Sequence, residues 1–200
     1  MPVEIDVAQR LRTIADATLE IVAEEGLDGV TIRAVAKRIG GSTTLVTNYL
    51  PTREALLVNA IEHATRAWDT EIDHVVAATR EEERLAVAVR WACSTTGNDL
   101  VLRKLFLEIL GRGDPNSAAL QALREDARKN RVEMVGGARE AGAADAAFTA
   151  EVLFLVLRGF YVCSLEDPEH WTGEHMVPLV DRLMGLLASV PKTGAGDGSE

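Results

Sequence analysis

Apolar residues recur three and four positions apart along most of the chain, which is the period of a helix face. Leu11, Ile14, Ile21 and Val22, with Thr18 among them, mark one face of a helix from Val7 to Glu25. Gly26 supplies the stop of a C-cap glycine. Ile32, Val35, Ala36 and Ile39 face inward on a short helix that Thr31 caps. Gly40-Gly41 breaks the chain, and Ser42 caps a third, very short helix in which Leu45 and Tyr49 share the inward side. Pro51 ends it. Thr52 caps a long helix in which Leu57, Ile61, Ala64, Trp68, Ile72 and Val75 keep the period to about Ala78. Five further helices follow, over 81–95, 98–111, 115–141, 145–165 and 174–190. The fourth last, 98–111, leads into Asp114-Pro115, a cap followed by proline at the first helical position. No useful run alternates with the strand period, so the pattern predicts an all-α protein of about nine helices.

Composition agrees with helix. Apolar residues make up 47 % of the 200 residues and aromatics 4 %, and Ala, Leu, Val, Glu and Arg dominate. The longest uninterrupted apolar run, Val152 to Leu157, falls far short of the roughly 18–20 residues of a membrane span. The first residues lack a charged-then-apolar leader. These features imply a cytoplasmic protein with no membrane contact. Cys93 and Cys163 lie in apolar surroundings and read as two reduced core thiols.

Charge refines the picture. The chain carries 21 basic and 31 acidic residues, a net charge of −10, which by itself argues against a nucleic-acid partner. The distribution says otherwise. From Thr31 to Arg53 the basic residues are Arg33, Lys37, Arg38 and Arg53, and no acidic residue interrupts them. A basic island on an acidic body can meet phosphates locally. Within that island a helix, a glycine turn and a two-turn helix make the helix-turn-helix layout, in which the second helix enters the major groove. Its outward Ser42, Thr43, Thr44, Thr47 and Asn48 are short hydroxyl and amide side chains able to reach base edges.

The order of residues then becomes specific. Ile14-Ala15-Asp16-Ala17, Ala23-Glu24-Glu25-Gly26, Thr31-Ile32-Arg33-Ala34-Val35-Ala36-Lys37-Arg38-Ile39-Gly40 and Asn48-Tyr49-Leu50-Pro51-Thr52-Arg53-Glu54-Ala55-Leu56-Leu57 follow one another without a gap. This resembles the N-terminal pattern of the TetR (tetracycline-repressor-like) family. Thr47 stands where the family usually has Tyr, Tyr49 where it has His, Leu50 where it has Phe, Gly41 where a small apolar residue is common, and Arg53 where it has Lys. The resemblance implies a ligand-responsive repressor with a helix-turn-helix domain over 1–52, a ligand-binding and dimerisation domain over 53–191, and a disordered, Gly-rich tail over 192–200. It implies that Thr31 and Arg33 meet the DNA near the start of the second helix. Ser42, Thr43, Thr44, Thr47 and Asn48 would contact bases or phosphates, and Tyr49 and Arg53 would clamp phosphates. Lys37 and Arg38 read as a solvated face, and a core ring with an exposed hydroxyl is the other reading of Tyr49.

The remaining helices suggest a homodimer. Val152 to Leu157 is apolar nearly all round, and Leu179, Val180, Leu183, Leu186 and Leu187 form a matching stripe. Helices apolar on several faces must be buried on several; one internal core is one reading, and with the resemblance Phe154, Leu157, Leu179, Leu183, Leu186 and Leu187 are the expected interface of a twofold dimer on a palindromic operator. Candidate pocket residues for a small-molecule effector are Trp68, Trp91, Phe106, Leu110, Phe154, Arg158 and Tyr161. An arginine inside an apolar helix must be paired or exposed, and Glu151 lies seven residues before Arg158. Gly136-Gly137 marks either a bend over a pocket or close helix packing.

Signals for an enzyme are missing. Gly111-Arg112-Gly113 lacks the ending of a phosphate loop. His170 and His175 are five apart, which does not align two ligands on one helix face, and Trp171-Thr172-Gly173 between them reads as loop. The sequence therefore predicts no cofactor, no metal and no catalysis. The alternative to a DNA-binding regulator is a helical small-molecule-binding or interaction protein that no longer binds DNA.

Overall fold

The computed structural model describes residues 6–94, 98–112 and 114–189. Among them lie nine α-helices and no strand: α1 (Val7–Gly29), α2 (Ile32–Arg38), α3 (Thr43–Thr47), α4 (Arg53–Val76), α5 (Glu81–Ser94), α6 (Asn98–Arg112), α7 (Ala118–Glu140), α8 (Ala146–Glu166) and α9 (Gly173–Ala188). The all-helical architecture read from the apolar period is the one observed. The tail over 192–200 lies outside the described residues.

Two compact units divide the chain, one within Met1–Asp69 and Thr96–Asp126, the other within Thr70–Thr95 and Ala127–Glu200. In the first unit α2 packs against α1 and α3, and α6 against α1. Ile14, Ile21, Leu27, Val30, Val35, Val46, Leu56, Ile61, Leu105 and Leu123 close one core. The unit extends past the division at Thr52 because Leu56, Leu57 and Ile61 of α4 and Leu102, Leu105 and Phe106 of α6 share that core with α1. In the second unit α5 packs against α8 and α9, around Leu85, Val89, Leu153, Leu157, Phe160, Met176 and Val180.

Local chemistry explains most helix ends. Asp6, Thr31, Ser42, Asp145 and Thr172 each accept the backbone N–H three residues on and so cap α1, α2, α3, α8 and α9. Thr52 does the same for α4, accepting from Ala55 at 3.1 Å. Gly26 takes φ 72° and breaks α1, leaving a last turn to Gly29. The start of α7 corrects the sequence reading. Asp114-Pro115 makes a turn, with the Asn116 N–H on Asp114 Oδ1 and the Ser117 N–H on the Asp114 carbonyl. The helix itself is capped by Ser117, whose hydroxyl accepts from Leu120. At Gly136-Gly137 close packing is the explanation: α7 continues through both residues, and a Cβ on Gly137 would meet the Leu85 side chain at 3.5 Å.

Helix α8 is long and apolar enough to cross a membrane by length and composition alone. Uninterrupted runs understate it, because Thr149, Glu151 and Arg158 punctuate a stretch of high mean hydropathy. Its inward positions Thr149, Ala150, Leu153, Leu157, Phe160 and Ser164 repeat at helical spacing and are buried in the second unit.

Candidate nucleic-acid interface

The candidate site is α2, its turn and α3, and each piece has a local cause. Thr31 is extended (φ −137°, ψ 154°), and its hydroxyl oxygen accepts the Ala34 N–H at 3.0 Å. Nine residues after Thr31, Gly40, at φ 67°, turns the chain. The Gly40 N–H donates to the Lys37 carbonyl at 3.2 Å and the Gly41 N–H to the Ala36 carbonyl at 2.9 Å, which satisfies the end of α2. Gly41 also leaves room: a Cβ there would stand 2.9 Å from Leu45 Cδ2. Ser42 then starts α3, accepting the Leu45 N–H at 3.1 Å. One residue anchors this five-residue helix. Val46, not the expected Leu45, is fully buried, while Leu45 and Tyr49 are half-buried. An inward face on so short a helix is set by the residue that reaches the shared core of α1 and α2, and Val46 reaches it.

With Val46 inward, Ser42, Thr43, Thr44 and Asn48 are exposed and Thr47 is half-exposed. Thr47 donates its hydroxyl to the Thr44 carbonyl at 3.3 Å. Thr31 and Arg33 are exposed on α2. The Tyr49 ring packs against the first core. The basic island is not uniform. Arg38 is bound to Glu24 at 2.5 Å and to Glu20 at 3.1 Å on α1, and the Glu24 carboxyl is held below its ordinary range by that guanidinium. Arg33 and Lys37 are exposed and, among the described residues, form no ion pair. They line an open hollow of about 520 Å³ between α1 and α2, with Ile21, Glu25, Thr31, Ala34 and Arg38.

Arg53 is placed differently from its neighbours. It is half-buried, and its Nε donates to the Val30 carbonyl at 2.9 Å and its Nη2 to the Leu27 carbonyl at 2.5 Å. It thus binds carbonyls of the last turn of α1, sharing that of Leu27 with the Val30 N–H. The same short segment is held from α6. Glu108 accepts the Leu27 N–H at 3.0 Å, and Arg112 pairs with Asp28 at 2.6 Å. The Arg112 hydrogen bond and charge hold the Asp28 carboxyl below its ordinary range. Beside Arg53, Glu54 accepts the Ala119 N–H at 2.8 Å and the Ser117 hydroxyl at 2.5 Å. These two donors, the Ala119 N–H above all, hold its carboxyl below the ordinary range. Arg53 and Glu54 therefore tie the start of α4 to the end of α1 and the start of α7. Glu54 was legible as a first-turn carboxylate; Glu108 and Arg112 sit more than 80 residues from Leu27 and Asp28, which they hold, and nothing in the sequence signals them.

The other expected sites are placed within their own units. In the first unit Trp68 and Phe106 meet edge to face with centroids 6.4 Å apart, and Trp68 Nε1 donates to Asp99 at 2.5 Å. Leu110 is exposed. In the second unit Trp91 Nε1 donates to Glu71 at 3.0 Å. Arg158 lies over the rings of Phe154, at 5.0 Å, and Tyr161, at 5.7 Å, and Arg131 of α7 lies over the same Phe154 at 5.8 Å. Of the expected interface residues, Leu157 and Leu187 are buried in the core of their own unit, Phe154 and Leu183 are half-buried, and Leu179 and Leu186 are exposed.

The model of the family described as bacterial regulatory proteins, tetR family, matches residues 14–60, the segment just described. The HTH-type transcriptional regulator PksA of Bacillus subtilis (strain 168) is 36 % identical over 62 residues, 31 % of this chain and 30 % of that protein. The HTH-type transcriptional regulator BetI of Burkholderia lata is 33 % identical over 75 residues, 38 % of this chain and 39 % of that protein. The chain thus spans between 30 % and 39 % of the length of these curated relatives. Solved structures extend the likeness to the whole fold. A putative transcriptional regulator from Saccharomonospora viridis, in complex with choline, has a TM-score of 0.77 at 16 % identity over 89 % of this chain and 96 % of that one. The transcriptional regulator FadR of Bacillus subtilis, in complex with stearoyl-CoA, has a TM-score of 0.69 at 18 % identity over 88 % and 97 %. Residues 14–60 thus match the N-terminal domain of the tetR family of bacterial regulatory proteins, and the helical fold around them is shared with solved transcriptional regulators.

Proposed function

We propose that the protein is a homodimeric, DNA-binding transcriptional repressor, not an enzyme, that leaves a palindromic operator when a small molecule binds. The observation that carries this reading is the α2–turn–α3 unit, with Thr43, Thr44 and Asn48 exposed on α3 and Arg33 and Lys37 uncommitted on α2. Thr43, Thr44 and Asn48 read base edges; Thr31, Ser42 and Thr47 bind phosphates or bases through hydroxyls that also serve the backbone. Arg33 and Lys37 supply the charge. Arg53 works one step back, holding the end of α1 on which α2 is built, and Tyr49 packs behind α3 with its hydroxyl as the polar end. In this reading the helix-turn-helix domain is residues 1–52 and the effector and dimer domain is 53–191, in the cytoplasm.

The effector is a small molecule that shifts the dimer away from its DNA-binding form; coupling of that kind is typically about 1–3 kcal/mol. The choline and stearoyl-CoA complexes belong to relatives of the same fold with opposite ligand chemistry. Trp68, Phe106 and Leu110 in the first unit, or Trp91, Phe154, Arg158 and Tyr161 in the second, are the side chains proposed to meet it.

Selection of binding sites from random duplex DNA at two salt concentrations tests the reading. Recovery of a palindrome, with affinity falling steeply as salt rises, is the expected result. A folded dimer that enriches no sequence even at low salt would leave only a ligand-binding protein.

A further inference from the structure

His170 and His175 are brought together by a turn that their spacing does not reveal. Residue 167 closes α8, its N–H on the Cys163 carbonyl at 2.9 Å, and its side chain accepts the His170 N–H at 3.2 Å. The Trp171 N–H returns to the Asp167 carbonyl at 3.0 Å and the Thr172 N–H to the His170 carbonyl at 3.0 Å. Thr172 then caps α9, accepting the His175 N–H at 3.3 Å. The turn is seated on the end of α5 in the same unit: a Cβ on Gly173 would stand 2.9 Å from the Cys93 carbonyl oxygen. As a result the two imidazoles lie with centroids 4.4 Å apart at 48°, and the Trp171 ring stands nearly perpendicular to both, at 5.0 and 5.5 Å. Both histidines are exposed.

We propose that His170 and His175 form an open, two-imidazole site for a divalent transition-metal ion of the zinc and nickel type. Two imidazoles bound side by side to one ion, with metal–nitrogen distances near 2.0–2.1 Å, have centroids about 4.5–5 Å apart, close to the 4.4 Å observed. Charge favours a cation. Glu166, Asp167, Glu169 and Glu174 surround the pair in sequence and are exposed, and no Lys or Arg occurs between Arg158 and Arg182. Imidazole suits these ions, whereas hard calcium and magnesium prefer oxygen cages. Among the described residues no group of three or more ligating side chains encloses an ion, so water completes the coordination and the affinity belongs to the exchangeable range.

Calorimetric titration of the full-length protein with nickel chloride or zinc chloride alone, in a non-chelating buffer with the thiols kept reduced, tests this. One ion per chain is expected, with a micromolar dissociation constant. His170→Gln and His175→Gln each weaken binding by at least about tenfold, with unchanged helical circular dichroism. His74→Gln, on exposed α4, and Cys163→Ser leave it unchanged. Nickel also quenches the fluorescence lost in Trp171→Phe. Wild-type titration curves in both His170→Gln and His175→Gln, or no saturable binding, would overturn the site.

Discussion

Arginines of the same basic island have three different tasks, and composition does not separate them. Arg38 is engaged by Glu20 and Glu24, Arg53 by the carbonyls of Leu27 and Val30, and Arg33 stands exposed beside Lys37. Only a cation that neutralises a phosphate, and so releases a counter-ion condensed on the DNA, adds to the salt dependence of DNA binding. Arg33→Ala and Lys37→Ala should therefore each reduce the slope of log affinity against log salt by about one, across all sequences, with little change in stability. Arg53→Ala should leave the slope unchanged and cost about 2 kcal/mol of folding stability, because two carbonyls lose charge-assisted donors. Arg53→Lys should recover little of that, since one ammonium does not reproduce a two-pronged guanidinium. Filter binding at four salt concentrations, together with urea unfolding, separates the two kinds. A slope reduced by one at unchanged stability in Arg53→Ala would assign that side chain to phosphate. In the proposed reading, base contacts fall to the uncharged residues, so Asn48→Ala should relax sequence preference at one operator position by about 1–3 kcal/mol, measured by competition among single-base variants.

Helix ends carry the architecture between these residues. The α4 N-terminus is held on both sides, by Arg53 toward α1 and by Glu54 toward α7. The Glu54 carboxylate accepts from Ala119 and Ser117 only when ionised to full effect, and its folded value is depressed. Its stabilisation is complete above the ordinary glutamate value of about 4.3 and disappears as pH falls through the lower, folded value. Glu54→Gln should thus lower stability by about 1 kcal/mol at pH 7, the scale of a lost cap, and the gap from wild type should close as pH falls below about 4. Equal gaps at both pH values in urea unfolding would show that shape, not charge, is what the variant loses. Much of this level was legible in the chain itself. Thr31, Ser42 and Thr52 announce their helices because a cap is local chemistry, and Gly26 and Gly40 because positive φ belongs to glycine. Val46 was missed because a five-residue helix has too few positions to define a face. Ser117 was missed because Asp114-Pro115 offers an equally good local signal one turn earlier. Glu108 and the meeting of His170 with His175 depend on tertiary contacts or on a turn, which periodicity does not encode.

At the scale of the whole molecule, the outward faces of α8 and α9 ask for a partner. Phe148, Leu155 and Val162 are seven apart on α8 and 45 %, 68 % and 44 % exposed; Leu179 and Leu186 are seven apart on α9 and 45 % and 60 % exposed. Single exposed apolar residues are ordinary, but stripes at seven-residue spacing on two helices of one unit have the pattern the proposed helix-against-helix seam would use. Gly159 lies on the same face of α8, and a Cβ there would meet nothing within 4 Å, which allows close approach. Leu157 and Leu187 already serve the protomer core, so the proposed seam moves outward by part of a turn, to Leu155, Val162, Leu179 and Leu186. A second copy is the occupant this geometry favours, since a twofold axis sets the same stripes against themselves and presents two α3 helices to a palindrome. Charge placed on the seam should then act on assembly and DNA binding together. Leu155→Glu with Leu186→Glu should give a folded monomer by light scattering, because both side chains are already in water and their loss leaves the protomer core intact. The monomer should bind one half-site with about half the salt slope of the dimer and fail to discriminate half-site spacing. The Leu157→Ala change, by contrast, should lower stability by about 2–5 kcal/mol as a core truncation without a monomer appearing before unfolding. A Leu155→Glu, Leu186→Glu protein that remains a dimer, with wild-type preference for the palindrome, would place the twofold contact on another face.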